Sequence, residues 1–329
     1  MRFGVEFVPE DPVKEIVSRA KLADENRFDN VWITDHYNNR NVYIVLSRIA
    51  EETDQITLGP GVTNPYTVNP AETASAIATL DNISGGRAVL GIGPGDKTTL
   101  NSLGIEWDKP LTRTRESIEV IEKLLAGEEV RCENMDKHDL RRAKLNFDFE
   151  GNIPIYIGAQ GPNMLKMSGG VGDGVLINAS HPDDFHFAVD QIKKGIEEAE
   201  RTIQDVDITA YTSFSVAEQT EKAKEAVIPP VAFITASVNE KILERHEISF
   251  EKAREVQENL DSGDFGEAFG SVTDQMIESF ALYGTPEECI ERIEELKEVG
   301  VTQLVSGSPI GPDKDKAIQM ISEEIMSSF

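Results

Sequence analysis

Residues that could do acid–base chemistry occur at similar places along the chain, within or directly after short apolar runs. Glu6 lies inside the first run, and Asp35 and His36 end the second. Asp96 follows the fourth run, and Asn178 ends the sixth. Carboxylates and an imidazole are the side chains that most often move protons in enzymes, so this set predicts proton transfer.

Glu6 is the strongest candidate for a general acid because apolar residues flank it on both sides. Val5 and Phe7 place it within a strand, and a buried carboxyl group is costly in its charged form. Burial therefore favours the protonated form that a general acid needs. A structural glutamate paired with Arg2 or another cation explains the same pattern, and both interpretations stay open at this point.

Asp35 and His36 are adjacent at a strand end, so their side chains point in different directions. His36 could donate a proton or contact a ligand, and Asp35 could anchor the polar edge of a cofactor. Caps and turns use the same residue types, and the pattern alone does not separate these alternatives.

Two glycine-containing segments could bind a ligand through the main chain. Residues 59–62 place glycines around a proline, which allows a flat ligand to approach the backbone closely. Residues 158–161 join a strand to a helix, where small residues expose N–H groups to a phosphate. Plain turns have similar compositions, so neither pattern is specific by itself.

The sequence contains few residues in patterns typical of a metal site or a catalytic nucleophile. Cys132 and Cys289 form neither a metal motif nor a disulfide framework. No spacing typical of a metal site connects the remaining histidines, which are His138, His181, His186 and His246. A bound redox cofactor is therefore the more natural source of enzymatic chemistry.

The elements that must position these residues form repeated units of a strand, a polar or glycine-rich end and a helix. The predicted strands cover residues 2–8, 30–34, 56–59, 87–93, 153–158, 174–178, 208–216 and 301–306. Eight such units in order predict an α/β fold, a single (β/α)8 barrel domain over residues 1–329, with its chemistry at the carboxyl ends of the strands.

Two segments interrupt the repeats, and one alternative fold remains. Residues 127–150 are predicted to form a small inserted hairpin, and residues 218–282, which carry only helical patterns, an insertion of extra helices. A doubly wound open sheet is the competing fold. It is disfavoured because the glycines of GIGPGDK have no acidic ribose partner in the expected second strand.

Composition limits the partners and the compartment. The net charge is −27, from 59 acidic and 32 basic residues, which disfavours nucleic acid and anionic membranes as partners. No apolar run approaches the ~18–20 residues of a membrane span, and the N-terminus lacks the pattern of a signal peptide. With only two cysteines, the sequence predicts a cytoplasmic protein.

Several motifs together resemble the bacterial luciferase-like superfamily of flavin and deazaflavin enzymes. The similarity covers residues 1 to about 180, with the closing strand and helix also fitting, and it rests on FGVEFVPEDP, VWITDHY, ITLGPGVTNPYTVNP, GRAVLGIGPGD and PIYIGAQGP…GDGVLINAS. This resemblance implies a TIM barrel with insertions and a cofactor ring in the cleft at the carboxyl ends of the strands.

The resemblance also implies roles for individual residues. A non-prolyl cis peptide at Gly61–Val62, in a bulge of the third strand, would support the ring, and Asp35 and His36 would line its polar edge. Gly158–Gly161 and Asn178 would hold the phosphate arm. The full set of matched cofactor residues is Asp35, His36, Gly61, Val62, Asn64, Gly93, Gly158, Ala159, Gln160, Gly161 and Asn178.

Within the superfamily, the N-terminal half and the length are most similar to coenzyme F420-dependent members that act on one-carbon pterins. The expected reaction is reversible hydride transfer from reduced F420 to 5,10-methylenetetrahydromethanopterin or tetrahydrosarcinapterin, giving the 5-methyl form in methanogenesis. Glu6 would then be the general acid, and Asp96 would position the pterin or keep Glu6 protonated by like-charge proximity.

Other members of the superfamily supply the alternatives. An F420-dependent alcohol or sugar-phosphate dehydrogenase would use His36 as a base, and an FMN monooxygenase shares the barrel. A barrel without activity, serving as a subunit or ligand-binding protein, is the alternative from a different class. Family resemblance further suggests a homodimer or a dimer of dimers.

Overall fold

The computed structural model describes residues 1–131 and 140–329 of the chain. Its contacts divide the chain into two compact units, each built from separate segments. The first unit comprises Met1–Val5, Ile177–Asp190 and Ile208–Phe329, and the second comprises Glu6–Leu176 and Gln191–Asp207.

The second unit contains most of the strand–helix repeats, and its strands run parallel. Strand β2 (Asn30–Ile33) pairs with β3 (Thr57–Pro60), while β5 (Ile155–Gly158) pairs with both β4 (Leu90–Ile92) and β6 (Gly174–Ile177). The side chains of β2 and β6 are buried on both faces, which is typical of a parallel sheet covered by other elements.

Two isolated bridges continue the parallel pairing from β3 to β4. Leu58 pairs with Ala88, and Thr63 pairs with Ile92. The helices that follow these strands are α1 (Val13–Glu25), α2 (Val42–Glu52), α3 (Pro70–Ser84), α4 (Lys97–Ser102), α5 (Pro110–Leu125), α6 (Pro162–Val171) and α7 (Pro182–Glu198).

The first unit contributes the N-terminal strand and the last three strands. Strand β1 (Arg2–Phe7) pairs in parallel with β9 (Gln303–Ile310) from Arg2–Gln303 to Val5–Ser306. Strand β7 (Asp207–Val216) pairs in parallel with β9 and with β8 (Ala281–Gly284).

All eight predicted strands occur, with shifted ends, but a ninth strand corrects the sequence prediction. Residues 218–282 were expected to be helical throughout, and β8 begins at Ala281. This strand has four residues and pairs with the distant segment 213–216. Its existence depends on that non-local pairing, which a local helical pattern cannot reveal.

The remainder of residues 218–282 is helical, as predicted. Its helices are α8 (Thr220–Ser237), α9 (Glu240–Arg245), α10 (Phe250–Ser262), α11 (Phe265–Gly270) and α12 (Asp274–Phe280). We call residues 220–280 the helical insertion. The chain then continues through α13 (Pro286–Glu298) and ends after α14 (Lys314–Met320).

The predicted hairpin near 127–150 lies only partly within the described residues. Val130 and Ala143 form an antiparallel bridge and exchange two backbone hydrogen bonds of 2.8 and 2.9 Å. This pairing is what a hairpin requires at its base. Residues 132–139, which include Cys132 and His138, lie outside the described part of the chain.

Local sequence signals set the starts of two of the helices. The side chain of Asn69 accepts a hydrogen bond from the N–H of Ala71, and Pro70 occupies the first position of α3. Thr285 and Glu288 form the capping box that TPEE predicts for α13. Within the described residues, no helix is both long and apolar enough to cross a membrane.

Arg87 joins three elements of the second unit at the amino-terminal side of β4. Its guanidinium group donates hydrogen bonds of 2.8 to 3.0 Å to main-chain and hydroxyl oxygens. The acceptors are the carbonyl groups of Ala50, Thr53, Ile56 and Ser84 and the hydroxyl of Thr53. These bonds fix the turns that lead into β3 and β4.

Candidate active site

Glu6 is buried within β1, as the sequence predicts. Its exposed fraction is 8 %, and the flanking Val5 and Phe7 are 0 % and 4 % exposed. Water therefore has little access to this carboxyl group. Such a buried environment suits a proton donor.

Asp35 follows β2 and interacts with two buried hydroxyl groups. Burial raises the pKa of Asp35, while the Thr63 hydroxyl and the charge of His36 oppose that shift. Burial and the nearby charge of Asp35 raise the pKa of Tyr43, which keeps its phenol protonated. The Thr63 hydroxyl opposes this rise in the pKa of Tyr43. Asp35, Tyr43 and Thr63 thus form one polar cluster, which we call the Asp35 cluster.

The two hydroxyl oxygens of the Asp35 cluster are fully buried. Neither Tyr43 Oη nor Thr63 Oγ1 makes a hydrogen bond of ordinary geometry with any residue that the structure describes. Buried hydroxyl groups normally have partners, so these two are suited to a ligand or an ordered water. His36, the next residue after Asp35, is exposed and its imidazole is open to a ligand.

The chain leaves β3 through a cis peptide bond between Gly61 and Val62. The N–H of Gly61 donates to the carbonyl of Ile33 at 2.8 Å. Pairing with β4 resumes at Thr63, whose N–H donates to Gly91 at 3.0 Å and whose carbonyl accepts from Gly93 at 2.9 Å. The predicted non-prolyl cis peptide is therefore confirmed at the predicted bond.

Val62 packs against glycines of two neighbouring strand ends. A Cβ atom on Gly93 would lie 2.9 Å from Val62 Cγ2, and one on Gly158 would lie 3.4 Å from the same atom. The glycines at 93 and 158 leave the space that this side chain fills. The result is a surface at the ends of β3, β4 and β5 that is formed by Val62 and main-chain atoms.

The loops after β3 and β4 meet at Asn64. Its Oδ1 accepts from the N–H groups of Tyr66 and Thr67, both at 3.1 Å. Gly95 has φ of +67°, and a Cβ atom there would lie 3.4 Å from Asn64 Cβ. The left-handed backbone of Gly95 thus brings the chain close to Asn64 just before Asp96.

Asp96 is exposed and serves as the N-cap of α4. Its Oδ1 accepts a hydrogen bond of 2.7 Å from the N–H of Thr99. A cap role was not part of the prediction, which placed Asp96 beside Glu6 or the pterin. A capping carboxylate has a second oxygen, so capping and ligand contact are compatible.

Three side chains hold together the segment between β4 and α5, which contains Asp96, and connect its later part to the loop after β3. Tyr66 Oη donates to the carbonyl of Asp108 at 2.7 Å, and the Arg113 guanidinium lies 4.5 Å above the Tyr66 ring. Trp107 Nε1 donates to the carbonyl of Pro94 at 3.1 Å. These contacts hold both loops in one arrangement at this edge of the second unit.

Residues 158–161 lead from β5 into α6 through an open main-chain segment. The N–H of Ala159 donates to the carbonyl of Leu176 at 3.0 Å, while Gln160 and Gly161 are exposed. The N-cap residue of α6 is Gly161, which has no side chain to cap the helix, and a Cβ atom there would have no neighbour within 4 Å. The first turn of α6 therefore presents N–H groups to an open space, where an anion can bind.

Asn178 lies two residues beyond Leu176, directly after β6, and is exposed. It belongs to the first unit, whereas the other predicted site residues belong to the second. Within the second unit the structure brings together Asp35 with His36, Gly61 and Val62 with Gly93 and Gly158, and Asn64 with the residue before Asp96.

Tyr43 and Thr63 are not among the site residues that the sequence predicts. Thr63 lies between two predicted residues, Val62 and Asn64, so alternation along an extended segment could have indicated a side chain facing away from theirs. Tyr43 lies in the first turn of α2, and its proximity to Asp35 depends on how α2 packs. No local pattern indicates that contact.

Similarity to known proteins indicates one family for this chain. The sequence profile of the family described as luciferase-like monooxygenase matches residues 1–303. The chain is 52 % identical over 327 residues to the 5,10-methylenetetrahydromethanopterin reductase of Methanolobus tindarius, covering 99 % of this chain and 100 % of that protein. It is 51 % identical over 330 residues to the reductase of the same name from Archaeoglobus fulgidus, covering 99 % of both.

A solved structure gives the same result for the fold. The coenzyme F420-dependent tetrahydromethanopterin reductase from Methanopyrus kandleri matches with a TM-score of 0.95 and 44 % identity, over 100 % of this chain and 99 % of that one. An F420-dependent secondary alcohol dehydrogenase, at 22 % identity, shares the fold with a TM-score of 0.82. The predicted (β/α)8 barrel is therefore confirmed, and the chain belongs to the luciferase-like monooxygenase family.

Proposed function

We propose that this chain is a coenzyme F420-dependent oxidoreductase that reduces 5,10-methylenetetrahydromethanopterin, or tetrahydrosarcinapterin, to the 5-methyl form in methanogenic one-carbon metabolism. The observation that carries the proposal is identity above 50 % over almost the whole of two reductases of that name. The family name refers to monooxygenases, but the F420-dependent proteins found by comparison share the fold.

The residues present suit a flat cofactor ring. Val62 and the glycines at 93 and 158 form a surface without protruding polar side chains, against which a ring could stack. The Asp35 cluster has buried hydroxyl groups without ordinary partners among the described residues, and these suit the polar edge of a ring. We propose that Asp35, His36, Gly61, Val62, Asn64 and Gly93 hold the ring.

The segment after β5 suits the cofactor's phosphate. N–H groups at an uncapped helix start attract anions through hydrogen bonds and the helix dipole, and α6 has such a start. Main-chain donors of this kind do not require a nearby cation, which matters in a chain with a net charge of −27. We propose that Gly158, Ala159, Gln160, Gly161 and Asn178 bind this group.

Reduced F420, when bound, supplies the hydride for the reaction. The chain must then hold the pterin against the ring, exclude water and provide a proton when the methylene bridge opens and the departing nitrogen needs one. We assign the proton to the Glu6 carboxyl, which is buried within the apolar strand β1. Asp96 would orient the pterin or, by like-charge proximity, help to keep Glu6 protonated.

An anaerobic spectrophotometric assay tests the proposed reaction. The near-violet absorbance of oxidised F420 should appear when reduced F420 and methylenetetrahydromethanopterin are mixed with the purified chain. The expected product is the 5-methyl pterin in amounts equal to the oxidised cofactor. Turnover with FMN and oxygen, or with an alcohol or glucose 6-phosphate but without the pterin, would contradict the proposal.

The F420-dependent glucose-6-phosphate dehydrogenase of Amycolatopsis mediterranei is the more distant alternative. It is 27 % identical over 330 residues, covering 95 % of this chain. A dehydrogenase of this kind would need His36 as a base for a hydroxyl group. The exposed position of His36 is compatible with that role. The much higher identity to the pterin reductases favours the proposed substrate.

For the assembly we propose a homodimer or a dimer of dimers, as the family resemblance suggests. Light scattering after size-exclusion chromatography would give the mass directly, and a mass of 36.3 kDa, that of one chain, would contradict the proposal. We also propose a cytoplasmic location, which the low cysteine content supports.

A further inference from the structure

The segment between β6 and the first turn of α7 is tied to the helical insertion. We call residues 178–184 the β6–α7 segment; it begins at Asn178. Ser180 Oγ donates to the carbonyl of Phe280, the last residue of α12, at 3.1 Å. His181 and His246 pack edge to face, with ring centroids 5.0 Å apart.

Asp184 makes the strongest connection between the two segments. Its Oδ2 lies 2.9 Å from His246 Nε2, and its Oδ1 forms an ion pair with Arg245. Asp184 and His246 are only 8 % and 7 % exposed. Burial favours a neutral carboxyl group, but the hydrogen bond and the charges of His246 and Arg245 prevail and lower the pKa of Asp184.

A buried carboxylate held by Arg245 and by a hydrogen bond to His246 fixes position more than it adds stability. Desolvation offsets much of the attraction between the charges, whereas moving either partner leaves a buried charge without compensation. Asp184, through its contacts with Arg245 and His246, therefore defines where the start of α7 lies relative to the end of α9.

The insertion side of these contacts is itself firmly packed. Val227, Val256 and Met276, from α8, α10 and α12, are fully buried in one apolar cluster with Leu243 of α9. Gln275 Nε2 of α12 donates to the carbonyl of His246 at 2.7 Å. His246 is thus held by a packed group of helices.

We infer that the helical insertion is a positioning element for the cofactor site: Asp184 and His246 hold the β6–α7 segment so that Asn178 can contact the cofactor's phosphate. The inference rests on the proposed function, because the contact of Asn178 belongs to that proposal. It assigns the insertion a role in cofactor affinity, and it makes Asp184 and His246 positioning residues without contact to the reacting atoms.

Titration of the full-length chain with F420, followed by the cofactor's fluorescence, tests the inference. In Asp184→Asn we expect the Kd for F420 to rise about tenfold, because small displacements of positioning groups have effects of this order or larger. The kcat at saturating F420 should stay within about twofold, since the lost interaction concerns cofactor binding and not the transition state. Amide hydrogen exchange of residues 178–184 should also become faster.

Two further variants separate positioning from stability. Ile293→Val removes one buried methyl group from α13, outside the helical insertion, so it should lower the Tm and leave the Kd for F420 unchanged. Ser180→Ala removes one hydroxyl group and should raise the Kd about threefold; it replaces Asp184→Asn as the test if that variant does not fold.

The outcomes distinguish this inference from the proposed function. If the unaltered chain does not bind F420, the proposed function is wrong, and the inference is overturned with it. If the unaltered chain binds F420 and the Asp184 and Ser180 variants bind it equally well, with loss of Tm alone, the inference is overturned and the proposed function stands.

Discussion

The Cγ2 atom of Val62 lies 2.9 Å from the position that a Cβ atom on Gly93 would occupy. Real Cβ atoms do not approach a neighbour this closely, so glycine at 93 and valine at 62 depend on each other. The same atom of Val62 is 3.4 Å from the corresponding position at Gly158, which is a tighter contact than most but one that small movements can relieve.

Gly93→Ala is therefore expected to displace Val62 and weaken cofactor binding. Overpacking of this kind typically costs about 1–3 kcal/mol, which in binding corresponds to a loss of F420 affinity of about five- to 150-fold. Gly158→Ala should have a clearly smaller effect. Fluorescence titration of both variants with F420 measures the difference.

The second substitution Val62→Ala should partly restore affinity in Gly93→Ala, because it removes the methyl groups that clash. A double-mutant cycle measures this coupling. Additive effects of the two substitutions would show that the packing of Val62 on Gly93 does not control the ring surface.

Glu6→Gln tests the assignment of the general acid. Because glutamine cannot supply the proton, turnover should fall at least about 100-fold, while the Kd for F420 changes little. Steady-state kinetics and fluorescence titration measure the two quantities. Near-normal turnover, with cofactor and pterin both bound, would exclude Glu6 as the proton donor.

Asp96→Asn is the matched carboxyl-to-amide control for Glu6→Gln. Asparagine can still cap α4, because its amide oxygen can accept from the N–H of Thr99 as the carboxylate does. We expect a smaller loss of turnover than in Glu6→Gln, because Asp96 is assigned an orienting role.

Asp35→Asn should stabilise the fold near neutral pH while weakening cofactor binding. Burial raises the pKa of Asp35, so folding disfavours its charged form, and this cost is fully present above the raised pKa. The cost disappears below the ordinary pKa of about 4, where the group is protonated in both states.

The gain in unfolding free energy from Asp35→Asn should therefore be present at pH 7 and vanish as the pH falls to about 4. Urea unfolding of both proteins across this range measures it. A gain that is the same at both pH values would contradict the role of ionisation.

Arg87→Ala should strongly destabilise the second unit. The substitution removes the donors for four carbonyl groups and one hydroxyl group, and we expect a loss of about 3–5 kcal/mol in unfolding free energy. Urea denaturation measures it.

Arg48→Ala is the control for Arg87→Ala, since Arg48 is 52 % exposed and pairs only with surface carboxylates among the described residues. Its effect should stay within about 0.5 kcal/mol. Equal losses in the two variants would contradict the bridging role of Arg87.

The order of strands and helices could be predicted from the sequence because most strands are short apolar runs with local end signals. Helix starts have local signals as well, such as the capping box at Thr285 and the proline at the start of α3. Strand β8 could not be predicted, because its four residues become a strand only by pairing with β7. The cis peptide at Gly61–Val62 was accessible only through family resemblance.

Predicting the site was limited in the same way. The sequence indicates Glu6 because it is a charged residue within an apolar strand, and Asp35 because it is a polar residue at a strand end. Tyr43 reaches Asp35 from a separate helix, and Asp184 meets His246 across 62 positions of sequence. Contacts between distant segments leave no periodic pattern, so they emerge only with the packing of the chain.

The open first turn of α6 has a consequence for how this protein can change over evolutionary time. Its donors are main-chain N–H groups, which every residue except proline supplies, and its N-cap residue, Gly161, has no side chain. Substitutions at the exposed Gln160 or Asn163 therefore leave the donor set in place. Sequences around this turn can drift between lineages while the capacity to bind an anion is inherited unchanged.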